Sequence, residues 1–560
     1  ELSDLLWASH GSALGAAVAS EPARITSTLL ATEEWAATHY ARACRVSGRA
    51  DDGLAWLRER ERIWGDRSSQ PALTLVEELN AQQLEVEAEA VLAQALQRRP
   101  DDMLLRLAMA ERALYASRLD EAEALLAGCT DAHAPARLRL QAMLAESRGQ
   151  LAQALACAQE AATLAPMHLP HQRLLLRLLR RQHGHARALA LWRPHADAHP
   201  AHVGLQQLLY DALPDEPQAL WEQLERMQAS HPGLPWLQRE RASQATRAGR
   251  LDEAVTLAQA ALALTPENPT AHDVLAYCVQ KRDGYQAALP HLHAVLCRDA
   301  ETEAALQRLL QAPNPEAQLA ATELVASQMR QQVLLGDGLL TFQAEAGRAW
   351  PAAQVLAFLA EQRARWPALW QGPVAVARQL MQMQRLEEAM AELVAAAERF
   401  PLLPRVHYEQ AEALRLAGRV DDAVQANAKT LALSPAWNRA VRLQIDLLCK
   451  HQLRWDDAEA LLQRALSTSS GWADADLIGL LAWVHEGQDR PADALATARR
   501  SLALDPSADW VWALLGRLCD RAETPAVFAE VIDEVVASRP GDAAAWLVRA
   551  ERSRDDHAAL

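Results

Sequence analysis

Apolar residues recur along most of this chain at spacings of three and four, the period of a helix with one buried face. In Gly249–Pro266, GRLDEAVTLAQAALALTP, the residues Leu251, Ala254, Val255, Ala258, Ala261 and Leu262 share such a face. A Gly249-Arg250 turn leads in and Pro266 ends the run, as helix boundaries require. An alanine followed 12 positions later by a proline returns at Ala88/Pro100, Ala154/Pro166, Ala188/Pro200, Ala389/Pro401, Ala423/Pro435 and Ala494/Pro506. The chain is therefore a repeat array.

Proline, or the position equivalent to it, marks the end of each second helix at 100, 135, 166, 200, 232, 266, 300, 334, 367, 401, 435, 470, 506 and 540, with Ala300, Leu334 and Ser470 in proline's place. A small residue follows ten positions later at Ala110, Ala242, Ala276, Ala377, Ala411, Gly516 and Ala550. This pattern predicts antiparallel helix pairs. Small residues let the two helices approach, and proline, lacking an N–H, stops the second. The turns read Gly149-Gln150, Gly249-Arg250, Gly347-Arg348 and Gly418-Arg419, where glycine takes the left-handed conformation. Acids follow, as in Asp252-Glu253, Glu387-Glu388, Asp421-Asp422 and Asp456-Asp457, suiting the positive end of the next helix dipole.

The array resembles the tetratricopeptide repeat (TPR) family. Trp512, Leu515 and Gly516 running toward Pro540, with Trp546 and Ala550 opening the next unit, carry the likeness, together with the Ala/Pro pairs from Ala254/Pro266 to Ala494/Pro506. The resemblance spans about residues 71–550. It implies an all-α superhelix, a solenoid of stacked antiparallel helix hairpins with a concave groove lined by first helices. Residues 1–70 read as an atypical N-terminal repeat, in which Pro22 opens a helix pair, and 71–312 as a TPR-like array. The segment 313–348 is expected to be irregular and helical, and 349–560 a second array. Gln311–Glu316 and Gly336-Asp337-Gly338 are the expected place for a break in the superhelix, and Leu213–Gln218 shortens a unit. The chain opens on Glu1 rather than methionine. Past Pro540-Gly541-Asp542 it stops at Asp555, Asp556 and Leu560 with half a hairpin, so it reads as part of a longer protein.

Composition narrows the function. The apolar runs are broken by arginines well short of the roughly 20 residues a membrane span needs, so no membrane insertion is expected. A net charge of −16 with interleaved arginines argues against nucleic acid, although Arg173, Arg177, Arg180, Arg181 and Arg187 form a local basic patch. Lysine is confined to Lys281, Lys429 and Lys450, a bias read as bacterial. Seven dispersed cysteines without a C-x-x-C pair point to reduced thiols and a cytoplasmic home.

No catalytic constellation emerges. His195 and His199 stand at i, i+4 with His202 beyond, a spacing that could hold a metal, but no Glu or Cys completes the set. Polar surface at the unit ends is the better reading. His291, His293 and Cys297 lack the strand–turn–helix setting of a nucleophile. No Gly-rich phosphate loop, nucleophile elbow or H-E-x-x-H motif is present. No enzyme activity, metal or cofactor is expected of this chain.

The expected function is a non-catalytic scaffold that binds a peptide or partner protein in the concave groove. Spacing along first helices places His272, Tyr277, His407, Tyr408, Gln410, Arg415 and Arg439 toward that groove. Trp437 and Trp510 lie off the family's core position, where Trp512 and Trp546 fall, and are read as partner anchors. The lysines and asparagines do not recur at one position in neighbouring units, so neither a lysine–asparagine carboxylate clamp nor an asparagine ladder is expected. Two further readings are the substrate-recruiting region of a larger bacterial transferase or peptidase, and a structural protein that self-assembles into a homo-oligomer through uncapped ends.

Overall fold

The computed structural model describes residues 34–551 apart from 117, 128, 130–133, 215, 436, 469–473 and 539–545. Expectations that rest on Pro22, Ser470, Pro540, Gly541, Asp542, Asp555, Asp556 and Leu560 lie outside the described residues.

The described residues form helices paired in sequence, with no strand among them. The pairs are α1 (Glu34–Val46) with α2 (Ala50–Trp64), α3 (Gln70–Ala81) with α4 (Glu85–Arg98), α5 (Met103–Tyr115) with α6 (Leu119–Ala127), and α7 (Ala134–Ser147) with α8 (Leu151–Leu164). Next come α9 (Leu169–His183) with α10 (His185–Asp197), α11 (Val203–Ala212) with α12 (Pro217–Ser230), α13 (Pro235–Arg247) with α14 (Leu251–Leu264), and α15 (Pro269–Asp283) with α16 (Tyr285–Arg298). The array continues through α17 (Glu303–Leu310) with α18 (Pro315–Gln331), α19 (Asp337–Glu345) with α20 (Ala352–Arg365), α21 (Gln371–Gln382) with α22 (Leu386–Arg399), and α23 (Pro404–Leu416) with α24 (Val420–Leu433). It closes with α25 (Asn438–Asp446), widened into a π turn at Leu447–His451, and α26 (Trp455–Thr468), then α27 (Asp474–Gly487) with α28 (Pro491–Leu504) and α29 (Asp509–Arg521) with α30 (Pro525–Ser538).

Small residues make this pairing close. Ala88, Ala110, Ala154, Ala188, Ala242, Ala254, Ala276, Ala377, Ala389, Ala411, Ala423 and Ala494 are all wholly buried where facing helices meet. First helices also approach first helices of neighbouring hairpins, as α1 does α3, α13 does α15, α19 does α21 and α27 does α29. Second helices come that close far more rarely. The stack therefore bends with its first helices inside.

The joints follow two rules. Where a second helix ends, proline sits just past the cap, as Pro266 does after Thr265. Within a hairpin the first helix ends on a left-handed residue, and the next N–H reaches back to the helix, as Arg250 N–H does to the Ala245 carbonyl at 2.9 Å. Glycine fills that position at Gly48, Gly149, Gly249 and Gly418, all with φ of 74° or 75°. Gln83, Gln384, Leu453, Asp489 and Glu523 take the same conformation, with φ from 53° to 60°, although their Cβ atoms oppose it. Gly347, expected to be such a joint, instead lies in a 3-10 turn, Ala346–Arg348.

An arginine beside the joint holds the acid three residues on. Arg250–Glu253, Arg385–Glu388, Arg419–Asp422, Arg454–Asp457 and Arg490–Asp493 pair at 2.6 to 3.0 Å. The acids after the turn thus serve the arginine as well as the dipole.

Other expectations are corrected. Pro135 does not end a second helix; it lies in the first turn of α7. Pro217 opens α12, so Leu213–Gln218 is a joint within a hairpin. The core does not break at Gln311–Glu316 or Gly336–Gly338: one apolar cluster runs from Ala242 through Leu306, Phe342 and Phe358 to Leu447. Asn314 caps α18 by accepting the Ala317 N–H at 2.9 Å. Trp512 is 6% exposed, as a core residue should be, but Trp546 is 46% exposed with Arg549 over its ring.

The array curls far enough to meet itself. The Gly48 joint lies against Trp366 and Val333, where an added Cβ would sit 3.2 and 3.3 Å from their side chains. Further along the same seam, a cavity of about 280 Å³ separates Gln83–Glu87 from Arg399 and Leu402. Another of about 780 Å³ separates Ala116 and Ser147 from Val424, Leu431 and Leu461.

Candidate functional site: the inner wall

Six positions past the proline, several first helices carry a side-chain donor aimed back at that joint. His272 Nε2 lies 2.9 Å from the Pro266 carbonyl and His407 Nε2 lies 2.7 Å from that of Pro401. Arg106, Gln172, Gln238 and Trp512 place N–H groups on Pro100, Pro166, Pro232 and Pro506 in the same way. Proline leaves its carbonyl on a helix end that runs out of partners, and a donor one turn into the next helix satisfies it. His272 and His407 are buried by this duty and do not reach the inner surface.

The remaining predicted residues divide. Gln410 lines a groove of about 500 Å³ between the second helices α22 and α24, with Val394, Lys429 and Leu433, and so turns to the outer side. Arg415 is exposed at the end of α23 and pairs with Glu412 at 2.7 Å. Tyr277 lies under Lys281 and Arg308, whose charged groups are 5.9 and 5.4 Å from its ring centre. Arg308 also reaches back to Asp273 on α15.

Tyr408, Trp437 and Arg439 are brought together. The two rings stack at 4.9 Å and 43°, and the Arg405 guanidinium covers both, at 5.9 and 5.6 Å. The Tyr408 hydroxyl donates to Glu412 at 3.0 Å, and burial with the nearby Glu412 pushes its pKa up to about 12. Arg439 is exposed on the first turn of α25 and has no ion-pair partner among the described residues. Trp510 joins from two hairpins away. Its ring crosses α27 at Gly479, where a Cβ would sit 2.9 Å from it, and ends under Arg442 of α25 at 5.6 Å. Side chains two units apart can meet only on the inside of a curve.

Charge on this wall is laid as a ladder between first helices. Arg45 meets Glu78, Arg139 meets Glu111, and Arg177 and Arg181 both meet Glu146. Arg442 meets Asp476 and Arg517 meets Glu486. Sequence reading missed Arg405 and Arg442, though Arg405 stands three residues before Tyr408 and so shares its helix face.

The histidine clusters have structural roles. His202 Nδ1 accepts the Leu205 N–H at 3.2 Å and caps α11. His171 is buried beside His168, ring centres 4.1 Å apart, and burial lowers its pKa to about 4. Cys297 is exposed, while burial lowers the His291 pKa. No cluster of three or more metal-ligating side chains occurs among the described residues, and no helix there is long and apolar enough to cross a membrane.

These features define an all-α solenoid of stacked antiparallel helix hairpins, TPR-like in unit length and packing. No protein-family model matches the chain, and no curated protein sequence matches it. Among solved structures it is similar to the APC/C hetero-tetramer Cut9-Hcn1, at 12% identity over 92% of this chain and 96% of that one, with a TM-score of 0.31. Yeast Tom70 aligns at 12% identity over 77% of this chain and 99% of its own, with a TM-score of 0.38. YrrB, a TPR protein with an unusual peptide-binding site, aligns at 16% identity over 34% of this chain and 97% of its own, with a TM-score of 0.26.

Proposed function

We propose that this chain is a non-catalytic interaction scaffold that holds a peptide or a partner protein against its inner wall. The observation that supports the reading is a pair of aromatic–guanidinium groups on the first helices, Tyr408 and Trp437 under Arg405 and Trp510 under Arg442. Half-exposed aromatic rings covered by guanidinium groups are the kind of anchor on which interface energy concentrates. A curved wall of parallel helices also offers contacts over a long, extended partner.

The test is capture from an extract of the native host with the full chain and mass spectrometry. Trp437→Ala and Trp510→Ala are expected to lose the captured partner at least tenfold, while Lys429→Glu on the outer groove keeps it. Retention by both tryptophan variants would overturn the reading.

A further inference from the structure

The patch around Arg405 carries more positive charge than its neighbours neutralise. Arg415 takes Glu412, Arg442 takes Asp476, and Lys450 takes Asp446 at 3.0 Å. Glu409, buried on α23, is left to serve both Arg378, at 2.5 Å, and Arg405, at 3.0 Å. The Arg405 Nε is the atom that lies 3.0 Å from Glu409; it is buried there, and its N–H is not aimed well enough to make a hydrogen bond. The Arg378 and Arg439 charges both repel its guanidinium. Burial further disfavours the Arg405 charge, which lowers its pKa. A chain of net charge −16 has thus gathered surplus cations on a short stretch of inner wall, next to the apolar faces of Tyr408 and Trp437.

We propose that this stretch is the docking site of an acidic peptide segment, one carboxylate bridging Arg405 and Arg439 and an adjacent apolar side chain lying on Trp437. The proposal rests on the concave surface being the binding face. Charge complementarity selects the occupant. A carboxylate accepts from the terminal N–H groups of Arg405, whose side chain is 23% exposed, and from Arg439 together, relieving the repulsion between them, and the guanidinium fork suits two-point recognition. Trp437 and Tyr408 supply an apolar shelf beside the charge, which a purely anionic polymer would not use.

The experiment is fluorescence anisotropy on the full chain with a short labelled peptide alternating glutamate and leucine, a glutamine–leucine counterpart, and a labelled single-stranded oligonucleotide. The acidic peptide is expected to bind at least tenfold more tightly than the glutamine peptide, and the advantage shrinks as salt rises. Arg439→Glu, an exposed change that leaves packing alone, is expected to weaken the acidic peptide at least tenfold. Arg405→Met, which keeps the stem between the rings, does the same, and Lys429→Glu has no effect. Equal binding of the two peptides, or insensitivity to both arginine variants, would sink the proposal, as would tighter binding of the oligonucleotide. If the acidic peptide fails while host-partner capture still depends on Trp437, only the acidic preference falls. If capture is also indifferent to Trp437 and Trp510, the concave reading falls with it.

Discussion

Between Pro235 and Arg298 the helices α13 to α16 are joined by what their own sequence supplies: Gly249 at φ 74°, Gly284 at φ 91°, and Pro266 past the end of α14. Between Glu303 and Arg365 the helices α17 to α20 keep the same stacking although no left-handed glycine joins either hairpin and no proline ends α18; the left-handed Gly336 stands between the hairpins instead. There the joint before α19 is closed from a distance. The Glu301 carboxylate accepts the N–H groups of Leu335, Gly336 and Gly338, Gly338 at 3.2 Å, and caps a helix that begins dozens of residues later. The core also changes character. Alanines meet in the first region, whereas Phe342, Trp350 and Phe358 pack ring against ring in the second, with centres 4.6 to 6.0 Å apart. A repeat can thus lose its consensus and hold its place, provided larger side chains and a remote acceptor replace the small residue and the turn glycine.

The comparison is most strongly tested at the ring cluster. Phe358→Ala removes a side chain that is 2% exposed and is expected to destabilise by about 3–5 kcal/mol. Hydrogen exchange should show the loss first in α19 and α20, with α13 to α16 still protected. Uniform loss along the array would mean the two regions are not separately built.

Glu301 comes next. Its pKa is pushed up to about 7 because burial outweighs the three donors. The folded state then holds the proton more tightly than the unfolded chain, so the stability it adds is complete below about pH 4.5 and is lost as pH rises to 7. Glu301→Gln mimics the protonated form. Its unfolding free energy from urea denaturation should match the parent at pH 4.5 and exceed it at pH 8 by on the order of 3 kcal/mol. A parallel pH dependence in both proteins would refute the shift.

The smallest effect separates the joints themselves. Gly249→Ala places a Cβ on a left-handed residue and should cost about 1 kcal/mol, while Gln384→Gly relieves one and should gain about as much. Thermal unfolding of the pair should move in opposite directions.

How far the sequence could be read follows from where each instruction lies. Ala254, Ala276 and Pro266 act on chain close by, so the hairpins and their period were legible. Gln384 and Glu523 were not recognisable as joints, because position in the helix imposes their conformation against their own preference. Glu301 acts across a hairpin, a distance that periodicity does not report. Among the candidate wall residues, Tyr408 and Arg439 were chosen from spacing and Trp437 for lying off the family's core position, whereas His272 and His407 looked like surface until the proline carbonyls six residues earlier were seen to need donors. Arg405 was missed because only its meeting with Trp437, from the next hairpin, marks it.

The meeting of Gly48 with Trp366 and Val333 has a bearing on traffic. A ribbon wound less than once is a hook, and its cargo can slip on and off sideways. One wound until its edges touch is a sleeve: a thread enters by the open ends, and anything broader must first prise the lips apart. Those lips include a glycine and two apolar side chains, with hollows of 280 and 780 Å³ further along.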